Sequence, residues 1–475
     1  MNPGKKLLTI DNAEQLSLKE IKDLYKAYIN PVYEDVFSTF TIGSELVERA
    51  EGLWLYTRSG KKVLDATGGQ GVLNHGHNHP RILAARIRYQ ERQRMEVHKT
   101  IFSPYLAALS ANVAAMLPAD LNYPFFCNSG AEAVDGAIKM AHKYHAGSRN
   151  HILYSDISYH GKLLGAGSIT GSKELHFGFP KIPGTRAYEY GNITSIRQAL
   201  SELRKKDGSS DVYAIFLEPY SASTGRKCDG EYLRELRQIC DRENIVLVFD
   251  EVFTGWCKTG NLFYFMDHEV VPDILTTSKS IGGGKSSISA FVARTPVLQK
   301  TFGNHHDFVL HSTTYNGFGE ECATAIEALN IIADDDYVSK SRQAGAMILE
   351  RIAALQIRFP GLVREGVGQG TLFSIRLNIK TELLESALRV LPVNMVKQDR
   401  FVYQVILAGI TDWMFSHYNV YTSFTPEGVN FSPPVIVQPA EIESFFAALE
   451  GTLEVGLLTT TTTFISNRLF KFLKK

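Results

Sequence analysis

Short apolar runs alternate with amphipathic stretches through the middle of this chain, and that alternation is its clearest signal. Strands are predicted at Tyr123 to Cys127, His151 to Tyr154, Val212 to Leu217, Ile245 to Phe249, Ile274 to Thr277 and Ala290 to Ala293. Each is a short apolar run bounded by polar or glycine-containing segments. Between them, helices are predicted over Ala131 to His145, Ile196 to Lys205 and Tyr232 to Glu243. Strands that alternate with helices predict an α/β fold: a largely parallel sheet covered by helices.

The flanks read differently. Ser17-Leu18-Lys19-Glu20 is a capping box that starts an amphipathic helix, expected to stop at Pro31. Leu53 to Arg58 and Lys62 to Asp65 predict a hairpin around Ser59-Gly60, followed by a loop rich in glycine and histidine from Gly68 to Pro80. A second unit is expected from about Asp334. It has a long helix over Val338 to Gln356, strands around Thr371 to Leu377 and a final helix from Ala440. The expected organisation is an N-terminal segment over residues 1–60 packed with the small domain, a large domain over 61–333 and a smaller α+β domain over 334–475. The basic, apolar stretch Phe464 to Lys475 reads as a last helix on the small domain or a frayed end. Docking on a partner or a membrane surface is the alternative.

Composition narrows the class. Fifty basic residues balance fifty acidic ones over 475 positions, so charge gives no argument for nucleic acid or an acidic membrane as the main partner. The five cysteines are scattered without a C-x-x-C pair, which argues against a zinc ribbon or a disulfide framework and favours a reducing compartment. No apolar run approaches the roughly 20 residues needed to cross a bilayer, and the first residues do not read as a signal peptide. A cytoplasmic location is expected.

The candidate chemistry sits at strand ends, where open α/β sheets bind ligands. Asn128-Ser129-Gly130-Ala131 follows a strand and opens a helix, so it can form an anion cup or simply an N-cap. Asp250 ends the most apolar strand. A carboxylate there needs a cation or donors, and a protonated pyridine nitrogen is one such partner. Lys279 ends another strand ahead of Gly282-Gly283-Gly284, placed to bond a carbonyl and shuttle a proton; alone it reads as a surface lysine. Tyr159 offers an aromatic face, and His311 to Tyr315 offers hydroxyls. Gly284-Lys285-Ser286 ends like a phosphate-binding Walker loop, but that motif needs glycine where Lys279 stands.

Taken in order, GHNHP, NSGAEAVDGAIKMA, SYHG, FLEP, VFDEVFTG, PDILTTSKSIGGG and HSTTYNG resemble the class-III aminotransferases of fold type I, from about Gly52 to Pro434. The resemblance implies pyridoxal 5'-phosphate (PLP) as cofactor. It implies that Lys279 attaches the cofactor, Asp250 pairs with its pyridine nitrogen, and Val252 and Tyr159 sandwich its ring. Ser129, Gly130 and Ala131 would hold its phosphate, and Glu218 would lie near the ring. Thr314 would reach the phosphate of the neighbouring subunit in a homodimer.

Three departures bear on the substrate. Phe253 stands where many members have glutamine, and Ser221-Ala222-Ser223 fills a stretch that often carries an acidic gate. Asn430 holds the place of the family's carboxylate-binding arginine ahead of Phe431-Ser432-Pro433-Pro434. An amide cannot replace a bidentate guanidinium. DEVFTG and KSIGGG resemble the glutamate-1-semialdehyde aminomutase branch and the aminotransferase modules of assembly lines. The expected reaction moves an amino group to an aldehyde or ketone, carrier-bound or in specialised metabolism. An aminomutase and a non-catalytic protein of the same fold are the alternatives. Arg226 and Lys227 are candidate cations for donor or carrier, against a solvated surface role.

Overall fold

The computed structural model describes residues 7–98, 100–172, 179–379, 399–426 and 428–469. The capping box forms as expected at α1 (Leu18–Leu24): Ser17 Oγ accepts from Glu20 N, and Glu20 accepts from Ser17 N at 2.8 Å. Pro31 does more than stop this helix. It opens α2 (Pro31–Phe37), capped by Asn30, because proline lacks only an N–H that the first helical turn leaves unpaired anyway.

The expected hairpin forms between β2 (Trp54–Thr57) and β3 (Lys62–Asp65), and a further strand, β1 (Val47–Glu51), pairs with β2. Four of the five β1 residues are exposed, so this edge strand carries no alternating apolar signal. On its other side β3 pairs in parallel with β13 (Val420–Tyr421). Leu53, Leu64 and Ala66 share one apolar cluster with Ile406, Ile442 and Phe445, so this sheet packs with the C-terminal unit.

The large sheet has seven strands in the order β4-β10-β9-β8-β7-β5-β6. They are β4 (Leu121–Cys127), β5 (His151–Ser155), β6 (Thr185–Tyr188), β7 (Val212–Leu217), β8 (Val246–Asp250), β9 (Ile274–Thr277) and β10 (Ser289–Arg294). β10 runs antiparallel to β4 and β9, and the other neighbours are parallel. Along β8, Val246 and Val248 join the cluster under α3 (Gly130–Tyr144), while Leu247 and Phe249 join the cluster on the opposite face. A strand buried on both faces reads as a continuous apolar run, which is why β8 was legible. β6, an edge strand of sequence TRAY, was not. The predicted helices appear as α3, α4 (Ile193–Glu202) and α5 (Gly230–Glu243).

The C-terminal unit holds α6 (Tyr337–Arg358), α7 (Asp399–Tyr418), α8 (Pro439–Val455) and α9 (Leu457–Phe464). They pack on an antiparallel sheet in the order β11 (Val363–Gln369), β12 (Leu372–Leu377), β15 (Gly428–Phe431), β14 (Phe424–Thr425). Phe464 and Ile465 are buried in this unit, and the Phe464 ring lies 5.5 Å from Phe40. The start of the basic tail is therefore packed; Phe470 and Phe472 lie outside the described residues. Among the described residues, no helix is long and apolar enough to cross a membrane, no cluster of His, Cys, Asp and Glu could hold a metal, and all five cysteines are free and buried.

Candidate active site

Because β4, β5, β7, β8 and β9 run in one direction, their carboxyl ends lie along one edge of the sheet, and that edge opens into a cavity of about 640 Å³. Asp250, the last residue of β8, is 5% exposed. Its Oδ2 lies 2.6 Å from Nδ1 of His160, and its Oδ1 accepts from Val252 N at 3.0 Å. His160 is buried, its N donates to Thr170 Oγ1, and its Nε2 has no partner among the described residues.

Glu218, just after β7, accepts from Tyr159 N at 2.7 Å. Burial pushes its carboxyl up to about 7; His160 opposes that rise and Asp250 adds to it. Burial thus favours the protonated form of Glu218 far more than water does. Lys279 follows β9 with a left-handed φ of +54°. Its Nζ donates to the Gln70 carbonyl at 2.7 Å and lies 3.8 Å from the centre of the Phe253 ring. Burial lowers its ammonium to about 8, against the attraction of Asp250 and Glu218.

At the start of α3, Ser129 Oγ accepts from Glu132 N, and Glu132 takes the N–H groups of Asn128 and Ser129 at 2.7 and 2.9 Å. Gly130 and Ala131 line the cavity beside Val252. A Cβ on Gly130 would come within 2.9 Å of Val252 Cγ1, so glycine lets the helix end and Val252 approach this closely. The structure thus brings Lys279, Asp250, Glu218, Val252, Tyr159, Gly130 and Ala131 together around one cavity. Ser129 caps the helix without lining it, and Thr314 lies on an exposed loop elsewhere.

Residues 41–453 match the class-III aminotransferase family. This chain belongs to that family. Solved structures of similar fold include an (S)-enantioselective omega-transaminase from Thermomicrobium roseum, with 24% identity, a TM-score of 0.75 and coverage of 86% of this chain and 92% of that one. The ornithine aminotransferase of Toxoplasma gondii ME49 has 21% identity and a TM-score of 0.76, covering 94% and 97%. A transaminase from the marine bacterium Virgibacillus has 20% identity and a TM-score of 0.76, covering 88% and 94%.

Class-III aminotransferases are PLP-dependent transaminases, and this chain is one of them. When bound, PLP supplies an electron-withdrawing ring that lets an amino group be exchanged for a carbonyl. The cavity fits such a group: it offers a helix N-terminus for an anion, a nearly buried carboxylate for a protonated ring nitrogen, and an amine.

The distal wall of the cavity, formed by the C-terminal sheet, is polar at Asn430, Ser374 and Ser423. Asn430 on β15 pairs across the sheet with Ser374 on β12, lines the cavity and donates from Nδ2 to Ser423 Oγ at 3.3 Å. Among the described lining residues the lysines are Lys162 and Lys279, and no arginine is present. Arg226 donates to the Tyr190 carbonyl and packs over its ring, and Lys227 reaches Gln369, so neither lines the cavity.

Three contributors escaped the sequence reading. His160 was visible in SYHG but overshadowed by its neighbour Tyr159. Gln70 acts through its backbone carbonyl, which leaves no side-chain signal. Lys258 is wholly buried, and its Nζ donates to the carbonyls of Ser432 and Pro433 at 3.0 and 2.6 Å. Nothing in a sequence separates such a lysine from a solvated one. Burial lowers its ammonium to about 7, with the charge of Lys279 adding to the effect.

Proposed function

We propose that this transaminase moves an amino group to an aldehyde or ketone that brings no carboxylate to an arginine, either free or tethered to a carrier. The observation that carries this reading is Asn430, which lines the cavity where the family has its carboxylate-binding arginine. A neutral amide donates one or two weak hydrogen bonds; it does not offset the cost of desolvating a carboxylate.

In this reading Lys279 attaches the cofactor and afterwards moves a proton between the substrate carbon and its own Nζ. Asp250, oriented by His160, pairs with the ring nitrogen. Val252 and Tyr159 flank the ring, and Glu218 lies beside it. The Gly130 and Ala131 N–H groups meet the phosphate, supported by the capping role of Ser129. Thr314 completes the site of the other subunit in a homodimer. An exposed loop carrying Thr314 near Phe308, Val309 and Tyr315, each at least 56% exposed, supports such an apolar interface.

The test is a donor and acceptor screen of the purified protein, following the cofactor's visible absorption. Neutral aldehydes and ketones should be converted with kcat/KM at least tenfold above 2-oxo acids of the same length. Equal or better use of 2-oxo acids would overturn the substrate assignment. Persistence of the lysine-bound absorption band in Lys279→Ala would overturn the attachment assignment.

A further inference from the structure

We propose that the ring of Phe253 and the carbonyl of Gln70 form a docking site for the free ammonium of Lys279, a position the lysine takes when it is neither bonded to the cofactor nor exchanging a proton with the substrate carbon. The proposal rests on reading Lys279 as the attachment residue.

The geometry is specific. Lys279 Nζ donates to the Gln70 carbonyl at 2.7 Å and sits 3.8 Å above the Phe253 ring centre. That carbonyl is aimed by four consecutive left-handed residues, Gly68, Gly69, Gln70 and Gly71, with φ of +57°, +58°, +61° and +84°. Glycine adopts this conformation freely, but Gln70 does so at a cost, and a strained residue beside a site is held there by its surroundings. Here the surroundings are on hand. Ser280 Oγ donates to the Gly71 carbonyl at 2.8 Å, tying the turn to the segment that carries Lys279. Phe253 packs flush against the turn: a Cβ on Gly71 would come within 3.0 Å of its Cζ. Turn, ring and lysine form one packed unit.

Amino transfer gives this unit its use. With the cofactor held by Lys279, a donor amine would displace the lysine nitrogen from its bond. The lysine nitrogen leaves as the ammonium, with the protons that the donor's ammonium gives up. The freed cation gains from both an acceptor and a charge-compensating surface. A carbonyl and an aromatic face supply these without a carboxylate that would hold the cation too tightly to release. The other charges facing Nζ are Asp250 and Glu218, which favour the ammonium, and Lys258, which opposes it; His160 pairs with Asp250 rather than with the lysine. Phe253 thus has a role distinct from the contact that glutamine makes in other members: it attracts the cation by its π face, which an aliphatic side chain of similar size cannot do.

The experiment uses the full-length protein freed of cofactor, so that Lys279 is unattached. Acetylation of Lys279 by acetic anhydride is followed against pH by mass spectrometry of its peptide in wild type, Phe253→Leu, Phe253→Met and Phe253→Tyr. The two aliphatic variants keep the burial and lose the π face. Their labelling midpoints should fall by about half a unit to one unit, corresponding to about three- to tenfold more reactive amine at a given pH. Phe253→Tyr should stay within about two-tenths of a unit of wild type, since it keeps the π face. Midpoints in Leu and Met variants equal to wild type, or a fall in the Tyr variant as large as theirs, would overturn the docking site. Two aliphatic variants guard against one failing to fold. The attachment reading fails separately: if Lys279→Ala keeps the lysine-bound band, that assignment is wrong. If the band is lost but Phe253→Leu and Phe253→Met label like wild type, only the docking site is wrong.

Discussion

His160 Nδ1 lies 2.6 Å from Asp250 Oδ2, and both side chains are almost wholly removed from solvent. The imidazole therefore fixes which way the carboxylate faces at the tip of β8. Hydrogen bonds to a buried charge are worth about 1.5–3 kcal/mol, or roughly ten- to a hundredfold in a binding constant. His160→Phe leaves Asp250 buried without this donor. Its affinity for PLP and its kcat should each fall by about tenfold or more. Titration of the cofactor's visible band gives the first and steady-state kinetics the second. Unchanged affinity would show that Asp250 is oriented by something else.

Glu218 makes a statement about stability. Its carboxyl titrates near 7 in the fold against an ordinary 4.5, because burial disfavours the charge. Between those values the unfolded chain gives up the proton and the folded chain keeps it. The contribution of Glu218 to stability therefore falls as pH rises from about 4.5 to about 7 and is fully lost above that. Glu218→Gln removes the effect, so its melting temperature should gain on wild type steadily across this window. Cofactor-free protein melted at several pH values gives the comparison; parallel curves would contradict the assignment.

Gly130 is a question of space. Alanine there would bring its Cβ to within 2.9 Å of Val252 Cγ1, and overpacking of this kind costs about 1–3 kcal/mol. Gly130→Ala should weaken cofactor binding about tenfold, and Val252→Ala in the same chain should recover most of that loss. Two losses that simply add would mean the pair does not interact.

The distal wall can be rewritten. Asn430→Arg places a guanidinium where the cavity now presents an amide, restoring a bidentate carboxylate contact. Relative to a neutral ketone of equal size, kcat/KM for a 2-oxo acid should rise about tenfold in this variant. An unchanged ratio would mean that the acid group does not reach this wall.

The large sheet was readable because its inner strands are buried on both faces, so burial and sequence pattern coincide. Where they part, reading fails: β1 and β6 are edges, and β11 (Val-Arg-Glu-Gly-Val-Gly-Gln), fully buried only at Val363 and interrupted by two glycines, shows no alternation. α7 is apolar on several sides, with Val405, Ala408 and Phe415 buried as well as Val402, Ile406, Ile410 and Met414, so no single stripe marks it as a helix. Within the cavity, polar side chains at strand ends, such as Asp250 and Lys279, could be picked out as candidates. A partner behind another residue, as His160 is behind Asp250, or a backbone carbonyl, as at Gln70, follows only from three-dimensional proximity.

The pairing of Leu64 with Val420 has a consequence for how the chain is made. Some 350 residues separate the two strands, so β3 leaves the ribosome long before its partner exists. At about 5–20 residues per second, its outer edge waits roughly 20–70 s with unpaired N–H and C=O groups. During that interval the nascent N-terminal sheet is open to strand addition by other chains, and a holding chaperone that covers residues 47–65 should raise the soluble yield more than one acting after release.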